Sequence, residues 1–304
     1  MSYAKPSLMP PFARPSSRVA IAAQCRYDGG LADIIFRTVQ QFALPVAGSQ
    51  VLLKPNFVEP DPEGIINTHP AVVAAAREAF LRLGAKSVRI AEGPGHERDS
   101  EAMVETLRLR EFFGPLRDVY VDLNLDEVRA VDLRTRASKL KQLYLPRTVL
   151  EADYIVSMPK LKTHHWAGVT LSLKNLFGVV PGIAYGWPKN VLHWKGIDRS
   201  ILDINAAVPT HFVIADGITA LEGNGPLHGS PRNLGRIVLA DDPVAADFVC
   251  TRLMGLNPLR VNYLAQAAEF LGNGAPERIL QLGEPMPPTV QPFAVLPEFA
   301  HLRL

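Results

Sequence analysis

Three pieces of the chain decide the fold class: VLLKPN at residues 51–56, NTHPAVVAAAREAFLRLG at 67–84 and SVRIAEGPG at 87–95. Val51 to Leu53 is a short apolar run that ends in Lys54-Pro55-Asn56. The Ala-rich piece puts Val72, Val73, Ala76, Phe80 and Leu83 on one face and Arg77, Glu78 and Arg82 on another, which is the period of a helix packed along one side. Thr68 stands where a helix cap belongs, Pro70 falls in the first turn and Gly84 ends the element. Ser87 to Ala91 is a second apolar run, closed by the polar turn Glu92-Gly93-Pro94-Gly95-His96. Strand, helix and strand in this order predict a mostly parallel sheet covered by helices, an α/β fold.

The pattern extends both ways. Arg18 to Gln24 (RVAIAAQ) reads as a strand and Leu31 to Phe42 as a helix, with a further helix over Ser100 to Phe113. In the second half Tyr154 to Met158, His211 to Ala215 and Arg236 to Ala240 read as buried strands, closed by Pro159, Asp216-Gly217 and Asp241-Asp242-Pro243. Pro243 to Leu256 and Val261 to Leu271 have helical patterns, and Arg278 to Leu282 reads as a last strand. These elements give one α/β domain over residues 18–284, with a lobe boundary expected near 140–150 and a cleft between the lobes. A proline-rich lead (1–17) and a proline-rich tail (285–304) are expected to be irregular.

Composition narrows the function. The 304 residues are 47% hydrophobic and 20% charged, enough to bury a sizeable core. A net charge of +2 argues against a nucleic-acid binder, which needs many phosphate-neutralising side chains. No uninterrupted apolar run is long enough to span a membrane, and no secretory signal is visible, so a cytoplasmic location is expected. Cys25 and Cys250 are the only cysteines, too few to ligate an iron–sulfur cluster within the chain.

Ligands of open α/β sheets collect beyond the carboxyl ends of the strands, so the turns there supply the candidate ligand-binding residues: Lys54, Asn56, His69, His96, Lys160, Lys162, Asn175, Glu222, Asn224 and Asp241. The segment from Lys160 to Ile197 holds Lys160, Lys162, Lys174, Lys189 and Lys195, three histidines and all three tryptophans, yet no Asp or Glu. So one-sided a run, in a chain whose charges otherwise nearly balance, points to a basic, aromatic-lined surface for an anionic planar ligand. Val169 to Lys174 alternates, which, if extended, turns Lys174 toward the same side as Thr170 and Ser172. Among other cations Lys174 is fit to be a base or nucleophile, and equally to hold a phosphate or carboxylate. His164 and His193 are read as proton carriers, with metal ligation as their other role, and Asp216 as the carboxylate that orients one of them. Adjacent His164 and His165 on an extended segment are expected to point apart, so that one of them enters the site. Asp242, directly before Pro243, reads as a helix cap, and Gly223, Gly225 and Gly229 as a loop that lets backbone approach a ligand.

Lys54-Pro55-Asn56, Asn67-Thr68-His69-Pro70, Glu92-Gly93-Pro94-Gly95, Pro159-Lys160-Leu161-Lys162-Thr163-His164, Val169 to Gly178, Glu222 to Pro226 and Asp242-Pro243-Val244-Ala245 together resemble the domain of unknown function 362 family, in the family's order over about 51–271. Many members of that family resemble redox proteins in carrying a ferredoxin-like four-iron segment, which this chain lacks for want of cysteines. That implies a ferredoxin-like protein as partner. More distantly, His164 ten residues before Lys174, the later His193 and Gly95-His96 are similar to the N-terminal part of the nickel-pincer lactate racemases. Those enzymes hold a pyridinium-derived nickel cofactor on a lysine and use histidines for proton and hydride chemistry. Asn67-Thr68-His69-Pro70 departs from that family's Thr-Arg-Pro, as does Ala167-Gly168 from its glycine-rich run.

The resulting expectation is an enzyme of redox or proton-transfer, isomerase-like chemistry on a small anionic molecule, with catalytic Lys174, His164, His193 and Asp216. The cofactor stays open, with a planar anion and a nickel-pincer-like group as the candidates and no iron–sulfur cluster expected. The alternative is a non-catalytic cofactor- or metal-binding partner of an iron–sulfur protein.

Overall fold

A computed structural model describes residues 15–95 and 99–304. The strands, in chain order, are β1 (Ser17–Ala23), β2 (Gln50–Pro55), β3 (Ser87–Glu92), β4 (Tyr120–Asp122), β5 (Val128–Asp132), β6 (Gln142–Pro146), β7 (Tyr154–Met158), β8 (Lys160–His164), β9 (Gly168–Thr170), β10 (Phe212–Asn224), β11 (His228–Ala240) and β12 (Ile279–Gly283). Ten of them form one sheet, ordered β12-β1-β11-β10-β7-β2-β3-β4, with β8 and β9 appended to β10. β5 and β6 make a separate hairpin.

Period-2 alternation sends the strand side chains into two cores. Leu52, Ile155, Val19 and Ile21 face one side, with the helices Ile197–Ala207, Pro243–Leu253 and Asn262–Phe270. Val51, Leu53, Val156 and Ala20 face the other, under the helices Leu31–Gln40 and Pro70–Arg82. Both sheet faces are dry, so the strands read as apolar runs. β2, β3, β4 and β7 pair in parallel, as the strand–helix–strand pattern requires. No helix among the described residues is long and apolar enough to cross a membrane.

Two expectations are corrected. β10 does not stop at Ala215: it continues to Asn224 and pairs antiparallel with β11, so the glycine-rich run is the tip of a long hairpin. Thr68 does not cap the Pro70–Arg82 helix. His69 does, its Nδ1 accepting the Ala71 N–H, while the Thr68 hydroxyl accepts from Asn56 N and donates to Met158 O, tying the ends of β2 and β7 together. Residues 114–153, which show no period, contribute β4 and the β5–β6 hairpin, whose Leu143 and Leu145 join the first core. The tail is extended but not loose, since Phe293 and Leu302 are buried in that core. The lead lies outside the described residues up to position 14. Asp242 does cap its helix, accepting from Val244 N and Ala245 N.

Candidate active site

The carboxyl ends of β2, β3 and β8 open onto a cavity of about 130 Å³. Its floor is an ion pair. Lys54, last but one in β2, is fully buried and donates to Glu92 Oε2 at 2.7 Å and to Asn175 Oδ1 at 3.1 Å. Glu92, at the end of β3, is held on both oxygens: Oε2 also accepts Phe57 N and Oε1 accepts Gly93 N. A Cβ on Gly178 would lie 2.1 Å from Glu92 Oε1 and 2.5 Å from Lys54 Nζ, and one on Gly93 would lie 2.7 Å from Gly178 O. Two glycines are therefore what lets β3 and the turn after Asn175 close over the pair.

Three lysines line the cavity: Lys162, Lys174 and Lys189. Glu92 is the one carboxylate in its wall among the described residues. Lys162 donates to Ile66 O, and burial, reinforced by Lys174 and Lys160, pushes its ammonium well below the usual lysine range. Lys189 donates to Gly93 O and Phe177 O and is lowered to about 7, chiefly by burial. Lys174 lies 4.2 Å from the centre of the Phe177 ring and is lowered to about 8 by burial and by Lys54. Asn56 Oδ1 and Thr170 Oγ1, in the same wall, have no hydrogen-bond partner.

Lys174 reaches the cavity by a different route from the one alternation predicts. The strand ends at Thr170, and Ser172–Asn175 is a helical turn, so Lys174 and Asn175 rise from its last residues. No side chain of its own caps that turn. Asp247, from the helix Pro243–Leu253, accepts Ser172 N at 2.7 Å and Leu173 N at 2.9 Å and so positions Lys174 from across the core. Burial there raises the Asp247 carboxyl to about 8.

The histidines carry fixed tautomers. His164 Nδ1 accepts the backbone N–H groups of Trp166 and Ala167, so its proton sits on Nε2. Burial and Lys174 hold it well below the ordinary histidine value, which keeps it neutral and a hydrogen-bond donor. His165 has the opposite arrangement: its Nδ1 donates to Gly225 O at 2.8 Å, which leaves the Nε2 lone pair as acceptor. His193 Nδ1 donates to Lys189 O at 3.2 Å, with the same result for Nε2. All three line the cavity. The expectation that only one of the adjacent pair enters is overturned because the chain turns at His165, which breaks the alternation and stacks the two rings at 4.9 Å.

The remaining candidates do not gather here. Lys160 pairs with Asp216 at 2.9 Å and donates to Tyr27 OH at 2.9 Å. Asp216 lies in mid-strand and also accepts from Tyr27 OH and His69 N, so it orients none of the site histidines. The His69 ring stacks on Tyr27 at 3.9 Å. Asp241 pairs with Arg18, and Glu222 with Arg232. Asn224 is exposed at the hairpin tip. Asp241 follows β11 at the end of the hairpin opposite its tip, because β11 runs antiparallel to β10. His96 lies outside the described residues. Among the described residues no group of three or more His, Cys, Asp or Glu side chains is placed to hold a metal, so they do not complete a metal site around His164 and His193. Lys189, His165 and Trp166 belong to the basic, aromatic segment that the sequence marks as a ligand surface, though it assigns them no individual role. Glu92 and Phe177 are not among the sequence candidates; the signal for Glu92 is a carboxylate closing a strand.

A family model described as a domain of unknown function, DUF362, matches residues 51–252. A thylakoid-associated protein of Synechocystis sp. is 35% identical over 233 residues, 74% of this chain and 68% of that one. Among solved structures, the lactate racemase apoprotein from Thermoanaerobacterium thermosaccharolyticum overlays with a TM-score of 0.48 at 14% identity, over 79% of this chain and 57% of that chain. A protein from Thermotoga maritima overlays with a TM-score of 0.39 at 12% identity, over 66% and 53%. The chain thus spans little more than half the length of either solved structure.

Proposed function

The chain belongs to the DUF362 family, which is defined by sequence and not by an activity, and from that premise we propose that the cavity binds a small carboxylate or phosphate and moves a proton on it. The observation that carries this reading is the set of three lysines around a cavity in which Glu92, already paired with Lys54 and backbone N–H groups, is the one lining carboxylate among the described residues. A single carboxylate shared with Lys54 leaves the described wall net cationic, so an anion is the complement.

Lys174 and Lys162 hold the anionic group. His165 or His193 takes a proton from the ligand's carbon or hydroxyl on Nε2, and His164, a fixed Nε2 donor, hydrogen-bonds the oxygen on which charge develops. The same imidazolium returns the proton, to the same or a neighbouring atom, so that no net redox change is needed. A cavity of about 130 Å³ lies below the roughly 300–1,000 Å³ of pockets that enclose larger ligands.

Titration calorimetry with inorganic phosphate and with two- to four-carbon 2-hydroxy and 2-oxo acids tests the binding, and NMR in D2O detects ligand hydrogen exchange. The expected result is a binder whose affinity falls at least tenfold in Lys174→Ala. The double variant His165→Asn/His193→Asn should bind the same anion and not exchange its hydrogen. Binding without exchange in the wild type would make this a binding module. Failure of every anion to bind, or intact binding in Lys174→Ala, would refute the reading.

A further inference from the structure

Trp166 and Trp194 come from separate elements, the turn between β8 and β9 and the end of the short helix Asn190–Trp194, and both stay largely in water, 59% and 80% exposed. Tryptophans left so open in a chain with a well-filled core call for an explanation. They rim a second hollow of about 360 Å³, lined by Trp166, Pro188, Asn190, His193, Trp194 and Ile197. Trp166, Pro188 and His193 also line the lysine cavity, so the two spaces adjoin, with His193 at the neck and its ring against Trp166 at 5.3 Å. The chemistry changes across the neck. The inner space is walled by Lys162, Lys174 and Lys189, whereas no charged side chain among the described residues lines the outer one.

We propose that the outer hollow is a subsite for a flat apolar body, so that the ligand is an amphipathic acid, its anionic group held by Lys162 and Lys174 and its aromatic or otherwise planar part seated between Trp166 and Trp194. The proposal rests on the anion reading above and adds to it the class of ligand. Continuity with the cavity selects a small molecule over a second copy of the chain or another protein: a partner covering the tryptophans would also close the mouth of the anion site. Aromatic faces take a planar partner by offset or edge contact, an attraction added to the area buried. Together the two spaces reach the size at which a site encloses most of such a ligand.

The test compares acetate with 2-naphthylacetate, which share a head group, by calorimetry and by quenching of tryptophan fluorescence in the wild type, Trp166→Ala and Trp194→Ala. Both substitutions lie at exposed positions, and unchanged thermal midpoints check the fold. The wild type should bind naphthylacetate at least tenfold more tightly than acetate. Each variant should lose about five- to tenfold for naphthylacetate, and Trp194→Ala, which lies outside the lysine cavity, should lose nothing for acetate. Equal affinities of the two acids in the wild type, or variants that bind both as the wild type does, would overturn the subsite while leaving the anion reading intact. If neither acid binds, the anion reading fails and the subsite falls with it. A change of sedimentation mass in Trp194→Ala would also overturn the proposal, by assigning the patch to contact between copies.

Discussion

Replacing Glu92 by Gln probes the electrostatics of the site most directly. The carboxylate faces donors alone: Lys54 Nζ at 2.7 Å, Phe57 N at 2.8 Å and Gly93 N at 2.9 Å. Gln keeps the volume and one acceptor oxygen, but its NH2 must meet one of those donors, and the Lys54 ammonium loses its counter-charge in a fully buried place. Removing one partner of a buried ion pair costs about 3–5 kcal/mol. With a denaturant slope of ~3 kcal/mol per molar urea, the unfolding midpoint should fall by roughly 1–1.7 M near neutral pH. The pH dependence then separates charge from packing. Burial already holds Lys54 below its ordinary value of 10.5, and Glu92 is what pulls it back up. Without Glu92 the depression deepens, so the folded state binds fewer protons than the unfolded chain and stability rises with pH until the unfolded value is passed. The deficit of Glu92→Gln should therefore narrow between neutrality and pH ~10. A loss under about 1 kcal/mol, or a deficit constant across that range, would refute the account.

Three further outcomes follow from the same geometry. An entering anion raises the ammonium groups of Lys189, near 7, and Lys174, near 8, so binding should take up protons and weaken as pH rises through those values. Calorimetry in buffers of different ionisation enthalpy measures the uptake, and a pH-independent affinity from 6 to 9 would contradict it. Asp247, raised from 3.8 to about 8, binds more protons folded than unfolded between those values, so its contribution is full below the lower one and lost as pH rises toward the upper. Asp247→Asn should flatten that part of the stability profile, and it should weaken anion binding because Lys174 loses its support; normal binding in a folded Asp247→Asn protein would show that the turn holds itself. Gly178→Ala should cost about 1–3 kcal/mol by overpacking, read by urea denaturation, since its Cβ would enter the Lys54–Glu92 pair; a neutral effect would mean the turn can move aside.

The fold was largely legible because both sheet faces are buried. Apolar runs such as Val51–Leu53 and Tyr154–Met158, each followed by a polar turn, mark parallel strands whatever their neighbours. β10 and β11 were cut short because their outer halves, Asp216 to Asn224 and His228 to Gly235, carry glycines and polar residues that read locally as turns. What makes them strand is their pairing with each other. The Val169–Lys174 alternation misled for the opposite reason, since Asp247, more than seventy residues on, supplies the acceptors that stabilise a helical turn at Ser172.

The sequence by itself determined that a basic, acid-free segment with every tryptophan follows a buried strand, and that it ends up where ligands of such sheets bind. Composition and local order suffice for that, because the period of apolar residues fixes strands and the ends of strands fix the site. Tertiary structure decided which charges meet. It took Lys160, Asp216, Asp241 and Glu222 into separate ion pairs, brought Lys189 and Glu92 into the cavity, and set His164 as a donor and His165 as an acceptor. Those choices depend on hydrogen bonds to backbone groups such as Gly225 O and Ala167 N, brought into reach by turns and hairpins that no local pattern encodes.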